Sequence, residues 1–196
     1  MGQEWAASTP FLFFTDHHPE LGRRVTDGRR QEFRSFSAFS DPLARERIPD
    51  PQAEATFLAS KLVWGEPERE PYAGIRRLYK ALLHLRRTEA ALQCADRKSY
   101  AAVACGESAI HLLRTAASGP ALLLLVQLRK SGTVDVDSYG SEPAARGRHW
   151  QVILTTEDPP FSADSCPPQI DLSGTAPVVR FSRSSAVLLR EVPAAK

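Results

Sequence analysis

Near residue 92 the spacing of apolar residues changes from helical to strand-like, and this change of period limits the fold more than any other feature of the chain. Before it, helix-like stretches are separated by proline. After it, short apolar runs are separated by Gly, Ser, Pro and Asp, in the manner of strands and turns. The reading is an α+β chain, with residues 1–91 as a helical part and residues 92–196 as an all-β part. Apolar residues make up 42% of the sequence, enough to bury a real core.

In the helical part the spacing of Ile75, Leu78, Tyr79, Leu82 and Leu85 predicts a helix over Pro71–Arg87, with one face buried. Pro71 suits a first turn, where its missing N–H has no intrahelical partner, and Arg86 and Arg87 suit the negative helix end. Asp50-Pro51 reads as an N-cap followed by proline, which predicts a second helix from there to about Ser60. A third, weakly periodic patch runs from Thr26 to Phe36, and Lys61-Leu62-Val63-Trp64 reads as extended or turning before Gly65-Glu66-Pro67.

Beyond residue 92, strands are expected at Tyr100–Cys105, Ala109–Arg114, Ala121–Leu128, Trp150–Thr155, Val178–Phe181 and Ala186–Glu191. Turns are expected at Gly106, Ser118-Gly119-Pro120, Ser131-Gly132, Pro159-Pro160 and Ser173-Gly174. Short strands at this spacing suggest an antiparallel sandwich.

Lys plus Arg number 25 against 23 Asp plus Glu, so no strong field favours nucleic acid or anionic lipid, and a neutral substrate fits best. The arginine pairs Arg23-Arg24, Arg29-Arg30, Arg76-Arg77 and Arg86-Arg87 have acids nearby and read as solvated helix faces. Cys94, Cys105 and Cys166 form neither a Cys-x-x-Cys pair nor a zinc spacing, and are expected as reduced thiols in a cytoplasmic protein. The longest apolar run, Pro120 to Val126, is far below the roughly 20 residues that span a bilayer, and no basic leader precedes an apolar core. Neither a P-loop, nor a Gly-x-Gly-x-x-Gly, nor a Gly-x-Ser-x-Gly elbow occurs, so no nucleotide cofactor is expected.

The chemistry-bearing stretch is the first. Met1-Gly2-Gln3-Glu4-Trp5 and Pro10-Phe11-Leu12-Phe13-Phe14-Thr15-Asp16-His17 join aromatic rings to carboxylates, as sugar-binding sites do. Glycoside hydrolysis needs two carboxylates flanking the scissile bond, and Glu4, Asp16 and Glu20 are the acids of this run. Glu4 is also readable as a hydrogen-bonded structural acid, and Asp16 as a cap or turn residue. Trp5 and Phe14 are expected to face a cleft, and Phe11 and Phe13 the core. His17-His18 could transfer protons, but adjacent histidines point apart and no acid or cysteine stands at ligand spacing, so no metal is expected.

These motifs, followed by Leu21-Gly22-Arg23-Arg24-Val25-Thr26-Asp27-Gly28-Arg29-Arg30, Glu32-Phe33, Ile48-Pro49-Asp50-Pro51 and Thr56-Phe57-Leu58-Ala59-Ser60-Lys61-Leu62 with Trp64, resemble maltooligosyltrehalose trehalohydrolases of the α-amylase superfamily. The resemblance covers residues 1 to about 91 well and the rest loosely. Val63 departs from the family's usual Asp and Gln3 from its commoner Glu. The resemblance implies the terminal helices and active-site-side loop of a (β/α)8 barrel, followed by a C-terminal antiparallel β-sandwich domain. It makes Met1 an internal methionine and puts the catalytic carboxylates upstream, so none maps onto a residue here. The activity implied for the whole enzyme is hydrolysis of the α-1,4 bond of maltooligosyl trehalose to release trehalose, without metal or cofactor. Glu4, Trp5, Phe14, Asp16 and His17 are then substrate-binding residues, and this chain alone is expected to be inactive and to associate through exposed apolar surface. The alternative is a non-catalytic carbohydrate-binding or interaction module derived from such an enzyme.

Overall fold

The protein is described by a computed structural model covering residues 1–137, 148–173 and 176–193. Its best-covered strand is β3, Leu122–Gln127, a run of four leucines and a valine. An unbroken apolar run suits a strand covered on both faces. Leu123 and Leu125 enter one core cluster, while Leu122 and Leu124 enter another on the opposite face. Around β3, the strands β1 (Tyr100–Cys105), β2 (Ala109–Arg114), β5 (His149–Thr155) and β8 (Ser185–Val192) build a five-stranded antiparallel sheet ordered β1-β2-β3-β8-β5. The register pairs Tyr100 with Arg114, Arg114 with Leu122 and Leu122 with Arg190. The β1–β2 turn passes through Gly106 at φ +62°, a left-handed conformation that costs glycine no Cβ clash.

A second antiparallel sheet joins β4 (Gly132–Asp135), β6 (Gln169–Asp171) and β7 (Val178–Phe181) in the order β4-β7-β6. Val134, Val179 and Phe181 from this sheet share one buried cluster with Ala109, Leu113, Leu123, Leu125, Trp150, Val187 and Leu189 from the larger one. The other face of the larger sheet meets α4, Tyr72–Thr88, through Leu78, Ala81 and Leu85, which pack with Leu154, Leu188 and Ala91. Ala91 lies in the short helix α5, Ala90–Gln93.

Strands β1, β2 and β7 have the limits expected from sequence, and β3, β5 and β8 differ by a residue at their ends. Strands β4 and β6 were not expected. Gly-Thr-Val-Asp and Gln-Ile-Asp each carry a single large apolar side chain, which is too few to establish a period of two. Of the expected turns, Gly174 lies outside the described residues. Helix α4 is the Pro71–Arg87 helix shifted by one residue, with Pro71 at the N-cap position.

The chain divides into two compact units, Met1–Glu68 and Arg69–Lys196. The change of period at residue 92 lies inside the second, where it marks the passage from helix to strand. The first unit holds α1 (Pro19–Glu32), α2 (Pro42–Glu46), α3 (Glu54–Ala59) and four short 3₁₀ turns. Helix α1 starts earlier than the patch read from Thr26, because Pro19 occupies its first turn and His18 is extended before it. The helix expected from Asp50 is a turn instead. Its carboxylate accepts from Gln52 N at 3.0 Å and from Thr26 Oγ1 at 2.7 Å, its carbonyl accepts from Ala53 N at 3.1 Å, and α3 begins only at Glu54. The Asp-Pro start signal operates at Asp41-Pro42, where the Asp41 side chain accepts from Leu43 N at 3.2 Å.

Candidate functional site

Within the first unit, the Asp50-Pro51-Gln52 turn and the segment Phe14–His17 are drawn together. Thr15 N donates to the Pro51 carbonyl at 2.8 Å, His17 N donates to Gln52 Oε1 at 3.3 Å, and Gln52 Nε2 donates to the His17 carbonyl at 2.9 Å. Thr15 Oγ1 also bonds Gln52 Oε1. The Gln52 side chain can run this way because position 22 of α1 is glycine. A Cβ there would stand 2.4 Å from Gln52 Nε2 and 2.8 Å from its Cδ.

These contacts shape a cleft of about 560 Å³ lined by Phe14, Thr15, Asp16, Pro51, Gln52, Ala53, Glu54 and Phe57. The Phe14 and Phe57 rings meet edge to face, 5.3 Å between centroids, so Phe14 is held at a fixed angle along the wall. Asp16 and Glu54 are exposed at the same cleft. An aromatic wall beside two carboxylates offers a flat surface for the C–H face of a sugar ring and acceptors for its hydroxyl groups. At the turn behind, the backbone N–H of Gln52 and then the Thr26 hydroxyl hold the Asp50 carboxyl below the usual carboxylate range.

Phe14 and Asp16 therefore share one cleft, and His17 is tied to it through its backbone, with an exposed side chain. Glu4 and Trp5 lie elsewhere in the unit, in a 3₁₀ turn. Glu4 is exposed, whereas Trp5 is only 8% exposed. The Trp5 indole N–H donates to Glu66 Oε2 at 3.3 Å, and its ring lies 5.9 Å from that of Trp64. Trp64, 75% exposed, is the ring of this pair with open surface. Glu66 is buried and also accepts from the Ser8 backbone N–H at 3.3 Å and from the Ser8 hydroxyl. Glu20 is an exposed partner of Arg24, at 2.9 Å one turn along α1.

Phe11 and Phe13, expected in the core, are exposed at 71% and 48%. They line a separate hollow of about 250 Å³ with Arg29, Phe33, Phe39 and Arg47. The Arg29 guanidinium lies 4.7 Å from the Phe13 ring and 4.8 Å from the Phe33 ring, so the rings serve a cation rather than an apolar interior.

In the second unit, burial pushes the imidazole of His111 below its ordinary value against the pull of Asp135. Burial pushes the Cys105 thiol up, while bonding to Ser99 and to the Asp96 backbone lowers that of Cys94. Among the described residues, no group of three His, Cys, Asp or Glu is placed to hold a metal ion, and no helix is long and apolar enough to cross a membrane.

Gln52, Glu54, Phe57, Trp64 and Glu66 are the residues that sequence reasoning missed as site-forming. The tryptophan at position 64 and the Asp50-Pro51 pair, read from sequence as a helix start, are visible in the sequence, but their pairing with residues 5 and 14–17 is set by the fold.

No family model matches the chain. It is 54% identical over 98 residues, half of its length, to a malto-oligosyltrehalose trehalohydrolase of Deinococcus radiodurans. It is 50% identical over 88 residues to that of Arthrobacter ramosus and 42% identical over 93 residues to that of Mycobacterium tuberculosis. The matched stretches amount to 16%, 14% and 15% of these relatives, so the chain spans a small part of their length. Among solved structures, a Salmonella typhimurium protein named for the alpha amylases matches 98% of the chain and 27% of its own length, at 24% identity and a TM-score of 0.64, a likeness of fold.

Proposed function

We propose, from a chain whose sequence relatives are malto-oligosyltrehalose trehalohydrolases, that it corresponds to the C-terminal part of such a glycoside hydrolase. The whole enzyme would cleave the α-1,4 bond of maltooligosyl trehalose and release trehalose in the cytoplasm. The observation that carries this reading is the 54% identity over 98 residues. Residues 1–91 are assigned to the end of a (β/α)8 barrel with its active-site-side loop, and residues 92–196 to an antiparallel β-sandwich domain. The two antiparallel sheets with a shared core support the second assignment. Support for the first is indirect and comes from the exposed Phe11, Phe13, Phe57 and Trp64, apolar surface of the kind that further barrel elements would cover and through which this chain would associate.

Glu4, Phe14, Asp16 and His17 are assigned to substrate binding, with the Phe14–Asp16 cleft as the contact for a glucose unit, while Trp5, expected at a cleft but only 8% exposed and bonded to Glu66, backs the open Trp64 ring instead. Neutral hydroxyl-rich sugar suits a chain whose formal charge is only +2. No residue is assigned to covalent attack or to protonation of the leaving oxygen, both of which need a carboxylate pair across the scissile bond. The chain alone is therefore expected to bind α-glucan and to release no trehalose. Titration of maltotetraose into the chain, followed by amide chemical shifts, tests this. Saturable shifts at residues 14–17 and 52–57 are the expected result, and none at millimolar sugar would reject the binding assignment. Trehalose release from maltooligosyl trehalose by the chain alone would reject the assignment of the catalytic carboxylates to other parts of the enzyme.

A further inference from the structure

We infer that Gln52 is a positioning residue of the cleft, its carboxamide pinning the Thr15–His17 segment so that the Phe14 ring and the Asp16 carboxylate face one volume. The substrate side of this inference rests on the proposed α-glucan reading; the pinning itself does not. The Gln52 side chain uses both ends. Its oxygen accepts from His17 N at 3.3 Å and from the Thr15 hydroxyl, and its nitrogen donates to the His17 carbonyl at 2.9 Å. No single-function side chain can meet the donor and the acceptor of one residue in this way, whereas a carboxamide matches both.

The pin is itself anchored. Gln52 N donates to Asp50 Oδ1 at 3.0 Å, Asp50 accepts from Thr26 Oγ1 at 2.7 Å, and Thr26 Oγ1 lies 3.1 Å from the Gly22 carbonyl. Gly22 leaves room for the Gln52 side chain along α1. The cleft wall is thus referred to a helix of 14 residues rather than to a free loop. A sugar contact of a few hydrogen bonds depends on ring and carboxylate being held together before binding, since ordering them on binding would offset the gain.

Three variants separate packing from hydrogen bonding. Gln52→Met keeps length and fills the space beside Gly22 but neither donates nor accepts. Gln52→Glu keeps the acceptor, and Gln52→Asn keeps both groups on a stem one methylene shorter. Two measurements are made on the full chain: hydrogen exchange at the His17 and Thr15 amides, and maltotetraose affinity. In Gln52→Met the His17 amide should exchange about five- to tenfold faster, the scale of one lost hydrogen bond, while Thr15, bonded to the Pro51 carbonyl, keeps its protection. Affinity should fall by a similar factor, and neither Gln52→Glu, whose second carboxylate oxygen would face the His17 carbonyl, nor the shorter Gln52→Asn should restore His17 protection in full.

Unchanged His17 exchange in Gln52→Met overturns the inference. Faster exchange with unchanged affinity overturns the positioning role, leaving a structural bond alone. Should the wild-type chain show no saturable sugar binding, the α-glucan reading fails, and His17 exchange by itself decides whether Gln52 pins the segment.

Discussion

Glu66 shows how one buried carboxylate can order the stretch from Trp5 to Ser8. The Trp5 indole, the Ser8 amide and the Ser8 hydroxyl all donate to it, and it stands at 6% exposure. Glu66→Ala strands the buried indole N–H of Trp5 and removes the partner of the Ser8 amide, at a cost of about 1–3 kcal/mol. Urea unfolding followed by tryptophan emission should register the loss, with Glu66→Gln less affected because one oxygen remains. His111 provides a second prediction at this scale. Its folded imidazole titrates below the unfolded value of 6.5, so between the two the unfolded chain binds more protons. Its contribution is complete above pH 6.5 and is lost as pH falls through the folded value. The thermal midpoint of the chain should decline across that window, and His111→Leu, which cannot take up the proton, should decline less steeply. Asp50, also lowered, contributes in full above its ordinary 3.8 and loses that contribution only as pH falls below it.

At the scale of elements, the first turn of α4 is set by a close approach. A Cβ at Gly74 would stand 2.4 Å from the Phe161 carbonyl oxygen, and nearby Arg77 Nε donates to the Pro160 carbonyl at 2.5 Å. In an open helix Gly→Ala would stabilise by up to about 1 kcal/mol. Here backbone must move, and Gly74→Ala should instead destabilise by about 1–3 kcal/mol in a denaturant titration of the sheet unit. A stabilising Gly74→Ala would show that helix and loop part without cost.

The same element shows what sequence can reveal. The stripe Ile75, Leu78, Leu82, Leu85 makes α4 legible as a helix through its period of 3.6, but it gives the buried face only in part, since Leu82 stays 42% exposed and Ala81 packs beside Leu78 and Leu85 instead. The Phe161 contact leaves no trace beyond a glycine. Strands β1 and β2 are readable from length and alternation, but β4 and β6 hold their places through Val134 and Ile170, and one apolar side chain makes no pattern. Likewise Phe14 and Asp16 can be read as a site because two chemistries lie two residues apart. Their partner Gln52 is 35 residues from His17 and Glu66 is 61 from Trp5, separations that only folding closes.

At the scale of the whole molecule, the two units are unequal in what holds them. Among the described residues, both core clusters draw every member from the second unit, between Leu78 and Leu189. The first unit buries one large apolar side chain, Trp5, and exposes Phe11, Phe13, Phe36, Phe57 and Trp64. Ordering each residue costs about 1–2 kcal/mol of backbone entropy, and burial of one large side chain offsets only a few kcal/mol. Hydrogen bonds such as those of Gln52 and Glu66 add about 1 kcal/mol each, too little to close that gap over 68 residues. The first unit should therefore open locally at far lower free energy than the sheets. Hydrogen exchange on the intact chain should show the slowest amides in β3 and β8 and weak protection throughout residues 1–68. Produced separately, residues 69–196 should keep a cooperative unfolding transition, whereas residues 1–68 should lack one and bind an apolar dye. A sharp transition in the isolated 1–68 segment would mean that its polar network suffices without a covered apolar core, and would remove the main physical support for reading its exposed rings as surface meant for other barrel elements.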